Sequence, residues 1–184
     1  MKKRITIHIG GLHASREPHV IETVLGSCVA VCLYDAVEQI GGMNHILLPG
    51  GADLTHFDTA ARYGINAMEL LINRIIALGG SRQRIVAKAF GGAHILPTIS
   101  SDYGMGRKNA EFVLEFLRIE SIALAGYNLG GRSPRKICFH TDTGFAYMKK
   151  LPLISQPRIA CEELDQWDRV QSDAQEAGEI TLFS

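Results

Sequence analysis

Two apolar runs, VAVCLY at residues 29–34 and IGGMNHILL at 40–48, are joined only by the short connection DAVEQ. Runs of this length, apolar on nearly every position and ended by Pro49-Gly50-Gly51, read as paired strands covered on both faces. A strand covered on both faces belongs to a layered fold, with strands in sheet layers and helices packed on them. Of all features in the 184-residue chain, this one most limits the architecture.

The flanking segments supply those layers. Ile5, Ile7 and Ile9 alternate with polar residues as a half-buried strand does, until Gly10-Gly11 breaks it; residues 20–25 are a second candidate strand. Asp58 or Thr59 caps a helix reaching about residue 78, with Ile65, Met68, Leu71, Ile72, Ile75 and Ile76 at helical spacing and Gly79-Gly80 as its stop. A strand at 84–90 leads to a second helix over 106–118, whose apolar face carries Phe112, Val113, Phe116 and Leu117. Residues 121–128 form another strand, and 136–140 and 145–149 flank the turn Thr141-Asp142-Thr143-Gly144. The pattern predicts an α+β protein: one compact domain of layered, mixed and antiparallel β-sheet, with seven or eight strands and two core helices. That domain is expected over residues 1–154. Residues 155–184 form an acidic extension, with seven acids against two arginines. It reads as a frayed tail, partly helical over 161–177 with Leu164, Trp167 and Val170 on one side. The alternative is a docking peptide or edge cover, because Ile180, Leu182 and Phe183 are more apolar than a tail requires.

Charge narrows the function. Nineteen basic residues balance 19 acidic ones, so nothing global favours nucleic acid or an anionic membrane. Arg132, Arg135 and Lys136 read as a solvated loop. The start, MKKRITIHIGG, alternates like a strand rather than a leader, and no stretch is long enough to insert in a bilayer. The expectation is a cytoplasmic protein with four free thiols, Cys28, Cys32, Cys138 and Cys161. No CxxC pair or zinc-like histidine spacing occurs, so no metal or other cofactor is expected.

The chemistry gathers at the central hairpin. Cys28 follows the Gly26-Ser27 turn where the first run begins, and His45 lies in the returning run. Alone, the thiol is a small hydrophobe and the imidazole a core histidine. Together they supply a nucleophile and its base. The backbone N–H groups around Gly26, Ser27 and Cys28 are candidates for an oxyanion site. Thr23 has a hydroxyl able to orient the imidazole, with Asp35 and Asp53 as alternatives, and Ser27 is a rival nucleophile less easily ionised than the thiol. Cys28 is expected to be partly exposed beside the His45 ring and to be the first thiol alkylated. The glycines of FGGAH at 90–94 and GGR at 130–132 make tight turns or a rim beside the thiol.

Five pieces in order, LGSCVAVCLYD, MNHILLPG, KAFGGAHIL, GRKNAEFVLEFL and GGRSPRKICFHTDTG, give the chain a resemblance to CheD, the chemoreceptor glutamine deamidase family, over about residues 21–151. The resemblance implies a layered fold like that of bacterial toxin glutamine deamidases. It implies a Cys-His-Thr site without a cofactor, hydrolysing glutamine side chains in the cytoplasmic domains of methyl-accepting chemotaxis receptors. The cysteine falls on Cys28, the histidine on His45, and the third position on Thr23 or, with one more residue in the spacing, on Glu22. A CheC-type phosphatase of CheY-phosphate is an implied partner. Other readings of the same residues are a thiol acyl transferase or peptidase, and a non-catalytic regulator that binds receptor or phosphatase.

Overall fold

The apolar hairpin sits where its composition places it. In a computed structural model that describes residues 1–50, 52–95 and 104–176 (173–176 by backbone alone), β4 (Val29–Asp35) pairs antiparallel with β5 (Ile40–Asn44), Cys32 opposite Met43. β4 is the central strand, with β5 beside it, of a five-stranded sheet ordered β2-β5-β4-β6-β7, with β2 (Leu12–Ser15), β6 (Ile85–Gly91) and β7 (Ala123–Leu129). A four-stranded sheet, β1-β3-β8-β9, stacks on it, with β1 (Lys3–Thr6), β3 (His19–Leu25), β8 (Arg135–His140) and β9 (Ala146–Lys150). Pairing is antiparallel except for β1 with β3 and β6 with β7.

Both faces of β4 are used. Val29, Val31 and Leu33 pack under two helices, α1 (Thr59–Ala77) and α2 (Met105–Ile119), in a core with Leu71, Ile72 and Phe116. Cys28, Ala30 and Cys32 face the other sheet, in a core with Ile21, Leu25, Ile137 and Phe139. The order is sheet, sheet, helices, which is the α+β layering expected. Asp58 caps α1 by accepting from Ala61 N at 2.7 Å, and the hairpin turn between β8 and β9 forms.

Three sequence expectations change. The strand β2 is additional: its four residues, LHAS, carry no alternation, and its pairing with β5 defines it. Arg135 is not a solvated loop residue. It is 2% exposed, and its guanidinium donates to the carbonyls of Asn128, Gly130 and Ser133, tying down the 128–133 loop. Nor do the described residues after Pro157 fray. Gln156–Glu176 form a third helix, α3, that begins earlier than expected and buries Ile159, Ala160, Glu163 and Val170. Ile180, Leu182 and Phe183 lie outside the described residues.

Candidate active site

The three residues Gly26-Ser27-Cys28 carry the chain from β3 in one sheet to β4 in the other. Their carbonyls are all engaged on one side. Gly26 O accepts from Ala93 N at 2.8 Å, Cys28 O from Gly92 N at 2.8 Å, and Ser27 O from Asn109 Nδ2 at 3.0 Å. With the carbonyls fixed, the N–H groups turn the other way and converge. Gly26 N and Cys28 N donate to Glu163 Oε1 at 2.9 and 3.1 Å, and Ser27 N donates to Oε2 at 2.8 Å. The Ser27 hydroxyl adds a fourth donor at 2.6 Å. Consecutive amides aimed at one point form an anion-binding nest. Two glycines leave room for this arrangement, and at Gly91 the backbone itself demands one. A Cβ on Gly26 would lie 2.1 Å from Ile95 Cδ1 and 2.9 Å from Glu163 Oε2; one on Gly91, whose φ is +114°, would lie 2.1 Å from Cys28 O.

His45 follows β5, and the bridge between Val29 and Ile46 extends the β4/β5 pairing to it. Side chains alternate along strands, so Cys28 and His45 share the face toward the other sheet as diagonal neighbours. The ring meets Thr23, which lies on the inward side of β3 with Ile21 and Leu25: Thr23 Oγ1 is 2.8 Å from His45 Nδ1. That hydroxyl's one hydrogen goes to Ile7 O at 2.9 Å, so its lone pair accepts from Nδ1–H. Nε2 is thereby left with a free lone pair, buried and without a hydrogen-bond partner. Backbone bonds from Gly10 N to His45 O and from His45 N to Gly11 O hold the residue in place. Glu22, the one-residue alternative, points to the opposite face and pairs with Arg4 and Lys136.

Cys28 is not partly exposed: it is 0% exposed, and no hydrogen bond joins its thiol to His45 Nε2. The exposed thiol is Cys161, on α3. Burial, then the charge of Glu163 and its hydrogen bond with the thiol, push the Cys28 pKa well up. Burial, and after it the charge of His8, bring His45 down to about 3. With α3 in place the pair is therefore a neutral thiol and a neutral imidazole. A cleft of about 690 Å³ runs beside it, walled by Ile7, Thr23 and His45 on one side and by Ile159, Glu163 and Arg169 of α3 on the other.

Asp35 and Asp53 do not orient His45. Asp35 is buried against Arg84, and Asp53 pairs with His56 at 2.7 Å. Two site residues escape sequence reasoning. Asn109 of α2 bridges the two chemistry-bearing segments, donating to Ser27 O and accepting from Leu48 N at 2.9 Å. Glu163 looks like any acid on a polar helix; the one clue is its place in the stripe Ile159, Ala160, Glu163, Trp167, Val170.

The surroundings of this site have known counterparts. The family model described as CheD chemotactic sensory transduction matches residues 47–150. A probable chemoreceptor glutamine deamidase CheD 1 from Shewanella oneidensis is 40% identical over 184 residues, covering 99% of this chain and 88% of that protein. A probable chemoreceptor glutamine deamidase CheD from Vibrio vulnificus (strain YJ016) is 38% identical, covering 95% and 84%. Another from Thiobacillus denitrificans is 40% identical, covering 95% and 86%.

Proposed function

We propose the following function for this chain, which belongs to the CheD family: it hydrolyses the side-chain amide of selected glutamines in chemoreceptors, releasing ammonia and leaving glutamate. The observation that carries the mechanism is the nest of three amide hydrogens at Gly26, Ser27 and Cys28, beside an imidazole whose Nδ1 is held by Thr23. Cys28 is the nucleophile. Its sulfur attacks the amide carbon as His45 Nε2 takes the thiol proton. The carbonyl oxygen, now an oxyanion, receives the amide hydrogens, which is worth about 3 kcal/mol per well-placed donor in comparable sites. His45 returns the proton to the departing ammonia, and water cleaves the glutamyl thioester, restoring the thiol. Thr23 keeps the imidazole in the tautomer this sequence needs. The substrate lies in the receptors' cytoplasmic domains, which places the enzyme in the cytoplasm. Among the described residues no helix is long and apolar enough to cross a membrane.

Receptor cytoplasmic fragments incubated with the protein test this. Mass spectrometry reads the roughly 1 Da gain at each converted glutamine, and Cys28→Ala abolishes it. His45→Ala lowers the rate about 10²–10⁴-fold, and Thr23→Val lowers it less. A new amine terminus in the fragments would make the protein a peptidase. Fragments bound but never converted would make it a regulator, with a CheC-type phosphatase as the next partner to try.

A further inference from the structure

Glutamate is the product of the proposed reaction, and a glutamate already occupies the site. The carboxylate of Glu163, 2% exposed, takes all three amide hydrogens of the nest and lies against the Cys28 thiol. Nothing else in α3 explains such deep insertion of an acid. Its apolar contacts are few among the described residues, Ile159 and Ala160 against Ala93 and Ile95 and Trp167 at the edge of the inter-sheet core, and it is further fastened by Gln156 Nε2 to Ile95 O at 2.8 Å and Gln171 Nε2 to Pro49 O at 2.9 Å. Gln156, Ile159, Ala160, Glu163, Trp167 and Val170 recur every three or four residues and form one stripe. With this stripe docked, Cys28 has no exposed surface.

We propose that α3 is an intramolecular occupant of the substrate groove, holding Glu163 in the position of the product glutamate, so that turnover requires α3 to leave and a substrate glutamine to take its place. The proposal rests on the deamidase reading above, and it adds that the parent protein is self-inhibited. It also gives the groove a preferred guest, a glutamine projecting from a helical segment along the line α3 now follows. Glutamine and glutamate differ by one terminal atom, so the Gly26 and Cys28 amides that hold Glu163 Oε1 receive the glutamine carbonyl oxygen in the same place, more weakly because an amide nitrogen replaces the oxygen that accepts from Ser27.

The test uses the full chain in three forms, the parent, Glu163→Ala and Glu163→Gln, each checked for cooperative unfolding. Iodoacetamide labelling is read thiol by thiol by peptide mass spectrometry, beside deamidation of receptor fragments. In the parent, Cys161 labels at once and Cys28 slowly. In Glu163→Ala, Cys28 labels at least tenfold faster and kcat/KM for the fragments rises by a similar factor. Glu163→Gln moves both in the same direction, because an amide cannot accept from Ser27 N–H and also keep both bonds to the other oxygen. If Glu163→Ala does not fold, Glu163→Gln and Gln171→Ala carry the labelling test. Cys28 labelling that is equal in the folded variants and the parent overturns the proposal, even if fragments are deamidated throughout. Faster labelling with no form converting any fragment upholds the seating of α3 and sinks the deamidase reading instead.

Discussion

The helices α1 and α3 are of similar length, 19 and 21 residues, yet they are held by a different balance of contacts. α1 sinks Met68, Leu71, Ile72 and Ile75 into the core with no exposure at all. Each such side chain contributes roughly 1.5–3 kcal/mol, and none needs a particular partner atom. α3 buries less, with Ile159, Ala160 and Val170 7–8% exposed and the first two packed on Ala93 and Ile95, and it adds two glutamine amides and one carboxylate. Hydrogen bonds of this kind contribute only about 0.5–1.5 kcal/mol net, or up to ~3 when one partner is charged. The first helix is part of what makes the chain fold. The second adds to a small apolar contact a few named polar points, which a competing ligand can reproduce. Under the proposed release of α3 a fastening of this kind is expected.

The largest expected effect is on α1. Leu71→Ala costs about 3 kcal/mol in urea denaturation, since it removes a fully buried side chain and leaves a cavity. Val170→Ala costs about 1 kcal/mol and does so by loosening α3, leaving the core transition where it was. Equal shifts of the unfolding midpoint would mean that α3 is as integral as α1, and the contrast would fail. Deleting 156–184 makes the same point more harshly: the remaining chain still unfolds cooperatively.

Acid separates the two regions by pH. His45 is held down to about 3 from 6.5 by burial and by His8. A depressed folded pKa stabilises above the unfolded value, so this contribution is complete above about pH 6.5 and drains away as pH falls toward 3. Between pH 6.5 and 5 it amounts to about 2 kcal/mol. Undocking α3 rehydrates the ring and recovers part of that loss, so the opening of α3 grows over this range. The helix-side group responds later. Burial pushes the Asp35 carboxyl up, but the Arg84 guanidinium and the amides of Ser81, Glu38 and Val37 outweigh it and set the pKa at about 2. Its contribution is present above pH 4 and lost between about 4 and 2. Hydrogen exchange checks this: the Ser27 and Cys28 amides exchange faster, relative to intrinsic rates, by pH 5, whereas those of α1 stay protected until below pH 4. Simultaneous loss of protection in both would join the two regions into one unit.

The same contrast explains what could be read from the sequence. Burial by shape leaves a periodic trace, so α1, α2 and the apolar hairpin are legible in the spacing of Met68, Leu71, Ile72 and Ile75 and in the unbroken run from Val29 to Leu33. Cys28, His45 and Thr23 are legible because their residue types carry chemistry, and the β3 face decides between Thr23 and Glu22 only once Ile21 and Leu25 are seen to point inward. Glu163 leaves no such trace. An acid in a polar helix is ordinarily solvated, and its burial here depends on three amides whose direction is set by Ala93, Gly92 and Asn109, far away in the chain. The burial of Cys28 is equally untraceable, since its neighbours Ile21, Leu25, Ile137 and Phe139 come from the other sheet and Glu163 from α3.

Gln171 gives the smallest and most discriminating effect. Its side chain donates to Pro49 O at 2.9 Å, two turns along α3 from Glu163, and touches neither the nest nor the thiol. Gln171→Ala removes one neutral hydrogen bond, about 1 kcal/mol. If α3 is fastened at independent points, that energy passes almost entirely into the docking equilibrium. Cys28 alkylation then quickens about fivefold, since 1.4 kcal/mol corresponds to tenfold, while the urea midpoint stays fixed. If α3 is instead cemented into the core as α1 is, a helix held at many other points absorbs the loss of one bond, and the alkylation rate does not move. An unchanged rate in Gln171→Ala together with a large rise in Glu163→Ala would assign the whole fastening to the carboxylate and reduce the two glutamine bonds to bystanders.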